Sequence, residues 1–363
     1  MSSFCLMRIA LLDIIAGKSA LKTIEQHGFN QDLFSVFLGA SGGPKWFSLF
    51  GLDKYVFGEF FKNRTEELYL IGSSAGAFRS ACFAQNDPVA AISRMAESYS
   101  ETIYSGEVDA SEVSAKAIEL LDYALGDNGV EEIIGNQVFK THFLVNKANG
   151  FMQSDSKGLQ LASLFKSYLL NRVDRKLLKS QFDRYVFHHP QSQLQINDPY
   201  GFNTQHVELT NENLKQALLA SGSIPLVMEG INDIPGAPKG KYWDGGIIDY
   251  HFDFQISHND KLVLYPHFNP EPKAGWFDKN LSRKVMNQHY DNVVMLVPSA
   301  EFIASLPYGK IPDRKDFETM DAETRIKYWK TVLAETEKLA DSFDDFLSSQ
   351  DLGKIRLFSQ NFK

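Results

Sequence analysis

Cysteine is nearly absent from this chain. Only Cys5 and Cys82 occur in 363 residues, too few for a disulfide scaffold, so a hydrophobic core must hold the fold. A reducing compartment is compatible with that usage but not demanded by it. No block of like charge exists, and 37 Lys and Arg stand against 45 Asp and Glu for a net charge of −8. General nucleic-acid binding needs a basic stripe to neutralise phosphates, so that class is excluded. Long apolar runs are missing too. Nothing approaches the roughly 18 uninterrupted residues of a membrane span. The apolar stretch from Phe4 to Ala16 is broken by Arg8 and Asp13. It has neither a basic leader nor a small-residue cleavage site, so it does not read as a secretory signal. The expected location is cytoplasmic or peripheral to a membrane, with export lacking a cleavable signal left open. Metal-ligand spacing is absent as well: adjacent His188 and His189 cannot share one helix face, and there is no calcium loop. No metal and no cofactor is expected.

What is present is an ordinary globular balance, 44% hydrophobic and 23% charged, with chain enough for a large core. Residues 14–28 carry apolar side chains near helical spacing. The run Leu33–Leu38 reads as a buried strand and ends in Gly39-Ala40-Ser41-Gly42-Gly43-Pro44, with Pro44 opening a helix. The same order returns at Leu68–Ile71, followed by Gly72-Ser73-Ser74-Ala75-Gly76 and another helix. Two strand–loop–helix units in succession imply a parallel sheet with helices on its faces. Residues 88–135 read as helical and Lys140–Val145 as a strand. Residues 158–187 form a long amphipathic stretch, and strands return at 206–209, 261–265 and 293–297. A charged surface helix is expected over 321–348. With no linker in view, the expectation is one α/β domain over 1–363 with a helical insertion at 95–200.

Ester hydrolysis needs an exposed nucleophile, a base and donors for the oxyanion. Gly72-Ser73-Ser74-Ala75-Gly76 fits G-x-S-x-G, where small residues let strand and helix pass close beneath a serine held on a tight turn. Gly39-Ala40-Ser41-Gly42-Gly43 fits the same pattern, and either serine could instead serve as a helix N-cap. Pro44 separates the two, because a Gly-Gly-Pro segment leaves open backbone N–H groups suited to an oxyanion. His251, His267 and His289 are available as bases. A more pointed acidic candidate is Asp244 in Tyr242-Trp243-Asp244-Gly245-Gly246, whose plainer reading is an Asp-Gly turn.

Taken together, these segments resemble the patatin-like phospholipases, a family of lipid acyl-hydrolases. The resemblance spans residues 30–250 and rests on four motifs in order. These are Gly42-Gly43-Pro44-Lys45, the Ser74 elbow, Ala220-Ser221-Gly222-Ser223-Ile224-Pro225, and Asp244-Gly245-Gly246. It implies a three-layer α/β/α sandwich around a mostly parallel sheet. It also implies a Ser74–Asp244 dyad, with Gly42 and Gly43 as oxyanion donors and a lipid ester as substrate, of phospholipase A or lysophospholipase type. Lys45 stands where the family usually has arginine, and Trp46 replaces the next glycine, leaving Lys45 as a candidate loop anchor without arginine's planar fork. The residues after Asp-Gly-Gly are Ile247-Ile248-Asp249-Tyr250, so head-group and chain preference do not carry over. Three alternatives stay open: a Ser-His-Asp esterase using His267, an acyltransferase, and a non-catalytic lipid-binding protein. Oligomeric state is not legible. Over residues 157–187, Lys157, Lys166, Arg172, Arg175, Lys176, Lys179 and Arg184 stand against only Asp174 and Asp183; interleaved with leucines and aromatics, they form either a peripheral membrane contact or the solvated face of a core helix.

Overall fold

A computed structural model describes residues 10–256 and 259–359, so Cys5 lies outside the described residues. Its strands are β1 (Leu12–Ala16), β2 (Phe34–Gly39), β3 (Leu68–Ser73), β4 (Phe139–Ala148), β5 (Phe182–His188), β6 (Ile196–Asn197) and β7 (Thr204–Glu208). They continue as β8 (Ile231–Asn232), β9 (Lys241–Asp244), β10 (Gln255–Ile256), β11 (Leu262–Pro266), β12 (Val293–Pro298) and β13 (Ile355–Leu357). One 11-stranded sheet runs β13-β1-β12-β11-β2-β3-β4-β5-β7, with β9 also on β4 and β8 on β9. Six of its neighbour pairs are parallel and four antiparallel, giving a mostly parallel mixed sheet. β2 and β3 are buried along their whole length, as continuous apolar strands covered on both faces must be.

Residues of those strands divide between two faces, with the alternation of β2 shifted at the irregularity in its pairing with β11. Phe34, Phe37, Leu68 and Leu70 join one core beneath the helices Ala75–Phe83, Pro88–Glu101 and Ala110–Leu125. Val36, Leu38, Tyr69 and Ile71 join a second core covered by Phe252, Phe268 and Tyr290. A third cluster, around Trp243, Ile247 and Leu164, holds the helix Lys157–Val173. The sheet is thus flanked by helices in the expected α/β manner, with the outer layers unequal.

Four local expectations need correction. Residues 14–28 are not one helix: Ile14 and Ile15 belong to β1, and the helix begins at Lys18. Gly17 stands between strand and helix, where a Cβ would lie 2.0 Å from the Tyr290 carbonyl oxygen. Residues 95–200 are more than a helical insertion, since they supply β4 and β5 to the centre of the sheet. The long amphipathic stretch 158–187 accordingly divides into the helix Lys157–Val173 and strand β5. The C-terminal helix is two, Ala322–Glu335 and Glu337–Ser349, broken at Thr336, whose hydroxyl accepts the Gly51 N–H at 2.9 Å. Nor is it only a surface element, for Trp329, Val332, Leu339 and Phe343 are fully buried.

Candidate active site

The long strand β4 explains how the site forms. Its first part pairs with β3, ending at Ser73 opposite Leu144. Its next residue, Val145, pairs with Asp244, because β9 takes over the line that β3 vacates and runs the other way. Two strands therefore arrive head to head along one edge of β4. Their carboxyl ends carry Ser74 and Asp244 to the same point.

Ser74 leaves β3 at φ 54° and ψ −126° and opens the helix Ala75–Phe83. A serine at positive φ is strained, by an amount of order 1–3 kcal/mol. The turn closes only because its neighbours lack side chains. A Cβ on Gly76 would sit 1.8 Å from the Gly39 carbonyl oxygen, and one on Gly72 would sit 2.3 Å from that of Gly76. The two G-x-S-x-G segments are thus packed backbone against backbone. The Ser74 hydroxyl makes no capping bond to its helix. It donates to Asp244 Oδ2 at 2.8 Å, while the Ser74 N–H donates to Ser221 Oγ at 3.0 Å and Ser221 donates onward to the Leu144 carbonyl.

Ser41, the other match, is placed differently. Its hydroxyl turns inward to Ser73 Oγ at 2.9 Å, and its N–H is taken by the Tyr250 carbonyl. Gly42 and Gly43 follow at the mouth of a short 3₁₀ helix, with their N–H groups outside its bonding ladder. Both glycines line the cavity that holds Ser74 and Asp244. Lys45 forms an ion pair with Asp313, tying this loop to the segment that carries Arg314. Trp46 is buried in the core beside Phe47.

Asp244 is 6% exposed. Burial pushes its carboxyl up to about 6, against the opposing pull of the Ser74 hydroxyl, the Gly246 N–H, Arg314 and Lys279. Oδ1 is occupied by the Gly246 N–H at 2.6 Å, which leaves Oδ2 to Ser74. Asn146 donates to the Asp244 and Gly245 carbonyls at 2.8 and 3.0 Å. Beyond the motif, Asp249 is clamped by Arg184 at 2.6 and 2.7 Å, fixing the turn from the far side.

The histidine candidates lie elsewhere. His289 pairs with Asp253 at 2.7 Å. His267 and His251 meet edge to face away from the cavity, and burial drives His267 down to about 3. None of the three lines the cavity around Ser74, so among the described residues no Ser-His-Asp arrangement forms around Ser74. No cluster of three metal-ligating side chains occurs among the described residues.

Sequence reasoning missed the cations. Lys279 and Arg314 line the cavity with Trp276 and Tyr250. The Lys279 ammonium lies 4.0 Å from the centre of the Tyr250 ring, and burial together with Arg314 brings it down to about 8. Neither residue sits in a motif, and only the topology brings them to Ser74. Asn146 did leave a trace, a polar residue next to an apolar strand. From Ser74 the space opens into a cavity of about 900 Å³ lined by Phe78, Met95, Leu120, Met228 and Phe317. Charged side chains, among them Lys116, Glu318 and Arg325, share its wall, and its apolar part has the character of a hydrocarbon-binding pocket.

No curated protein matches the sequence significantly. A solved structure of human GIVD cytosolic phospholipase A2 aligns with 92% of this chain at 10% identity and a TM-score of 0.38. The chain spans 62% of that structure's length, and the likeness is too distant to bear on function. A family model described as Patatin-like phospholipase matches residues 68–251. That match takes in Ser74, Ser221 and Asp244 and stops short of the Gly42-Gly43 loop. With half of its length matched, the chain belongs to the patatin-like phospholipase family.

Proposed function

We propose that this protein hydrolyses carboxylic esters of lipids, of phospholipase A or lysophospholipase type, through Ser74 and Asp244. The observation that carries the reading is the 2.8 Å bond from Ser74 Oγ to Asp244 Oδ2 on a strained strand-to-helix turn. Ser74 Oγ attacks the acyl carbon and its proton passes to Asp244 Oδ2. The carbonyl oxygen, now negative, turns toward the N–H groups of Gly42 and Gly43. Each such donor is worth about 3 kcal/mol in a transition state. Collapse expels the lipid alkoxide, which takes the proton from Asp244. Asp244 then accepts a proton from water, the hydroxide attacks the acyl-serine, and the fatty acid leaves as Ser74 recovers its proton.

A carboxyl raised to about 6 is a better base than an ordinary aspartate and is still ionised at neutral pH. Lys279 and Arg314 favour a substrate with an anionic group next to the scissile ester, as in a phospholipid. The large apolar cavity favours a long acyl chain.

The test is labelling with a fluorophosphonate, which captures activated serines, followed by peptide mapping. Wild type and Ser41→Ala should label on the peptide carrying Ser74, and Ser74→Ala should not label. Loss of labelling in Ser41→Ala with retention in Ser74→Ala would reverse the assignment.

A further inference from the structure

The helix Lys157–Val173 is built inside out. Its inward residues are Gln160, Ser163, Leu164, Ser167 and Asn171, four of the five polar. Leu161, Phe165, Leu169 and Val173, spaced by four, face outward with exposures of 59, 62, 45 and 80%. A surface helix normally turns its apolar stripe to the core. Besides Leu164 in the third cluster, this one is attached through polar contacts: Gln160 to the Ser154 carbonyl at 2.9 Å, and Asn171 to Asp278 at 2.8 Å. Arg283 adds a bond to the Asn171 carbonyl at 2.6 Å. The stripe runs on to Leu177, and Phe151 and Leu159 lie exposed before it. A contiguous outward apolar row of this kind marks a surface made to be covered.

Charge says what covers it. Lys157, Lys166, Arg172, Lys176 and Lys179 are exposed on the same segment against one exposed carboxylate, Asp174. These five cations form no ion pair among the described residues. The neighbouring Asp155 is engaged with Lys241, and Arg175 is buried on Asp278. A segment this basic in a chain of net charge −8 complements an anionic surface, and apolar side chains interleaved with lysines fit the boundary between lipid head groups and acyl chains. Position agrees. The helix packs on the turn Trp276–Asp278, and Trp276 lines the cavity of Ser74. Ile103, Val108 and Val227, also exposed, line the wider cavity.

We propose that the outward face of residues 157–179 docks this protein on anionic lipid surfaces, setting the mouth of the Ser74 cavity against the bilayer. No helix among the described residues is long and apolar enough to cross a membrane, so the contact is interfacial. The docking face shares no residue with the proposed dyad, and binding is measured on the full chain carrying Ser74→Ala, with recovery of intact lipid showing that the vesicles are not hydrolysed.

The experiment is co-sedimentation with phosphatidylcholine vesicles and with vesicles containing added phosphatidylglycerol, at low and high salt. Binding to the anionic vesicles that salt weakens is expected. Lys176→Gln with Lys179→Gln should weaken it roughly thirtyfold, about one kcal/mol for each cation. Phe165→Ser with Leu169→Ser should abolish it, while the same pair in the otherwise wild-type chain keeps its thermal midpoint and its turnover of a short soluble ester. Equal binding to neutral and anionic vesicles overturns the proposal, as does binding unchanged in both double variants. A concentration-dependent dimer that Phe165→Ser with Leu169→Ser dissolves, in a chain that ignores vesicles, overturns it in favour of a second copy.

Discussion

Replacing Asp244 by asparagine should stabilise this protein while silencing it. The carboxyl is buried, and burial outweighs everything that draws its pKa down, so the group titrates at about 6 in place of 3.8. The sign follows from linkage. The folded state binds this proton more tightly than the unfolded chain, so folding is helped at low pH and loses stability as pH rises from about 4 to above 6. A shift of that size, at 1.36 kcal/mol for each pK unit, makes the ionised carboxylate cost roughly 3 kcal/mol above both values. Asparagine has nearly the same shape, can accept the Gly246 N–H through its oxygen, and carries no charge to bury.

Urea unfolding of wild type and Asp244→Asn measures the effect. The variant should be more stable by roughly 3 kcal/mol at pH 8, and its advantage should shrink to about half at pH 5 as the wild-type carboxyl takes up its proton. Ester hydrolysis should be lost at both values. A variant no more stable than wild type at pH 8 would refute the reasoning. So would an advantage of the same size at pH 5, because the gain would then come from packing and not from charge.

Two further outcomes follow from the same geometry. The pH profile of kcat/KM should rise through about 6 as Asp244 ionises; for anionic lipids alone it should fall again through about 8 as Lys279 loses its proton. Lys279→Met should remove the basic limb and leave the acidic one. Gly76→Ala places a methyl 1.8 Å from the Gly39 carbonyl oxygen, a clash of backbone on backbone that only a shift of the elbow relieves. It should cost about 3 kcal/mol or more, lower the thermal midpoint and abolish fluorophosphonate labelling.

What the sequence disclosed was local. The Ser74 elbow and the Asp-Gly-Gly turn are each written in a few consecutive residues, because close approach of backbone demands glycine at fixed offsets. Strands β2, β3, β11 and β12 were visible as short apolar runs for a similar reason. Ile14 and Ile15 misled, since two apolar neighbours before a glycine fit the end of a strand as well as the start of a helix. The break at Thr336 was hidden because it answers Gly51, nearly the whole chain away. Lys279 and Arg314 could not be found by any motif, for their meaning lies only in where β11, β12 and the segment after them return. The helix at 157–173 is the sharpest case. Its periodicity is amphipathic whichever way it faces, and only the burial of Gln160, Ser167 and Asn171 tells which side is out.

The junction of β3 and β9 on β4 joins three properties that look separate. Because β9 runs antiparallel into the line of β3, the carboxylate meets the serine end on, and the proposed proton transfer asks for no third side chain. That meeting point lies between covered faces of a sheet, so the carboxylate is buried by the same arrangement that delivers it. Burial raises its pKa, which suits the base that the proposed mechanism asks for near neutrality and makes the carboxylate a burden on the fold. Pairing of Leu144 with Ser73 and Val145 with Asp244 is therefore the source of the proximity, the base strength and the stability cost together. Moving the register of β9 by one residue would turn Asp244 to the opposite face of the sheet, and all three would be lost at once.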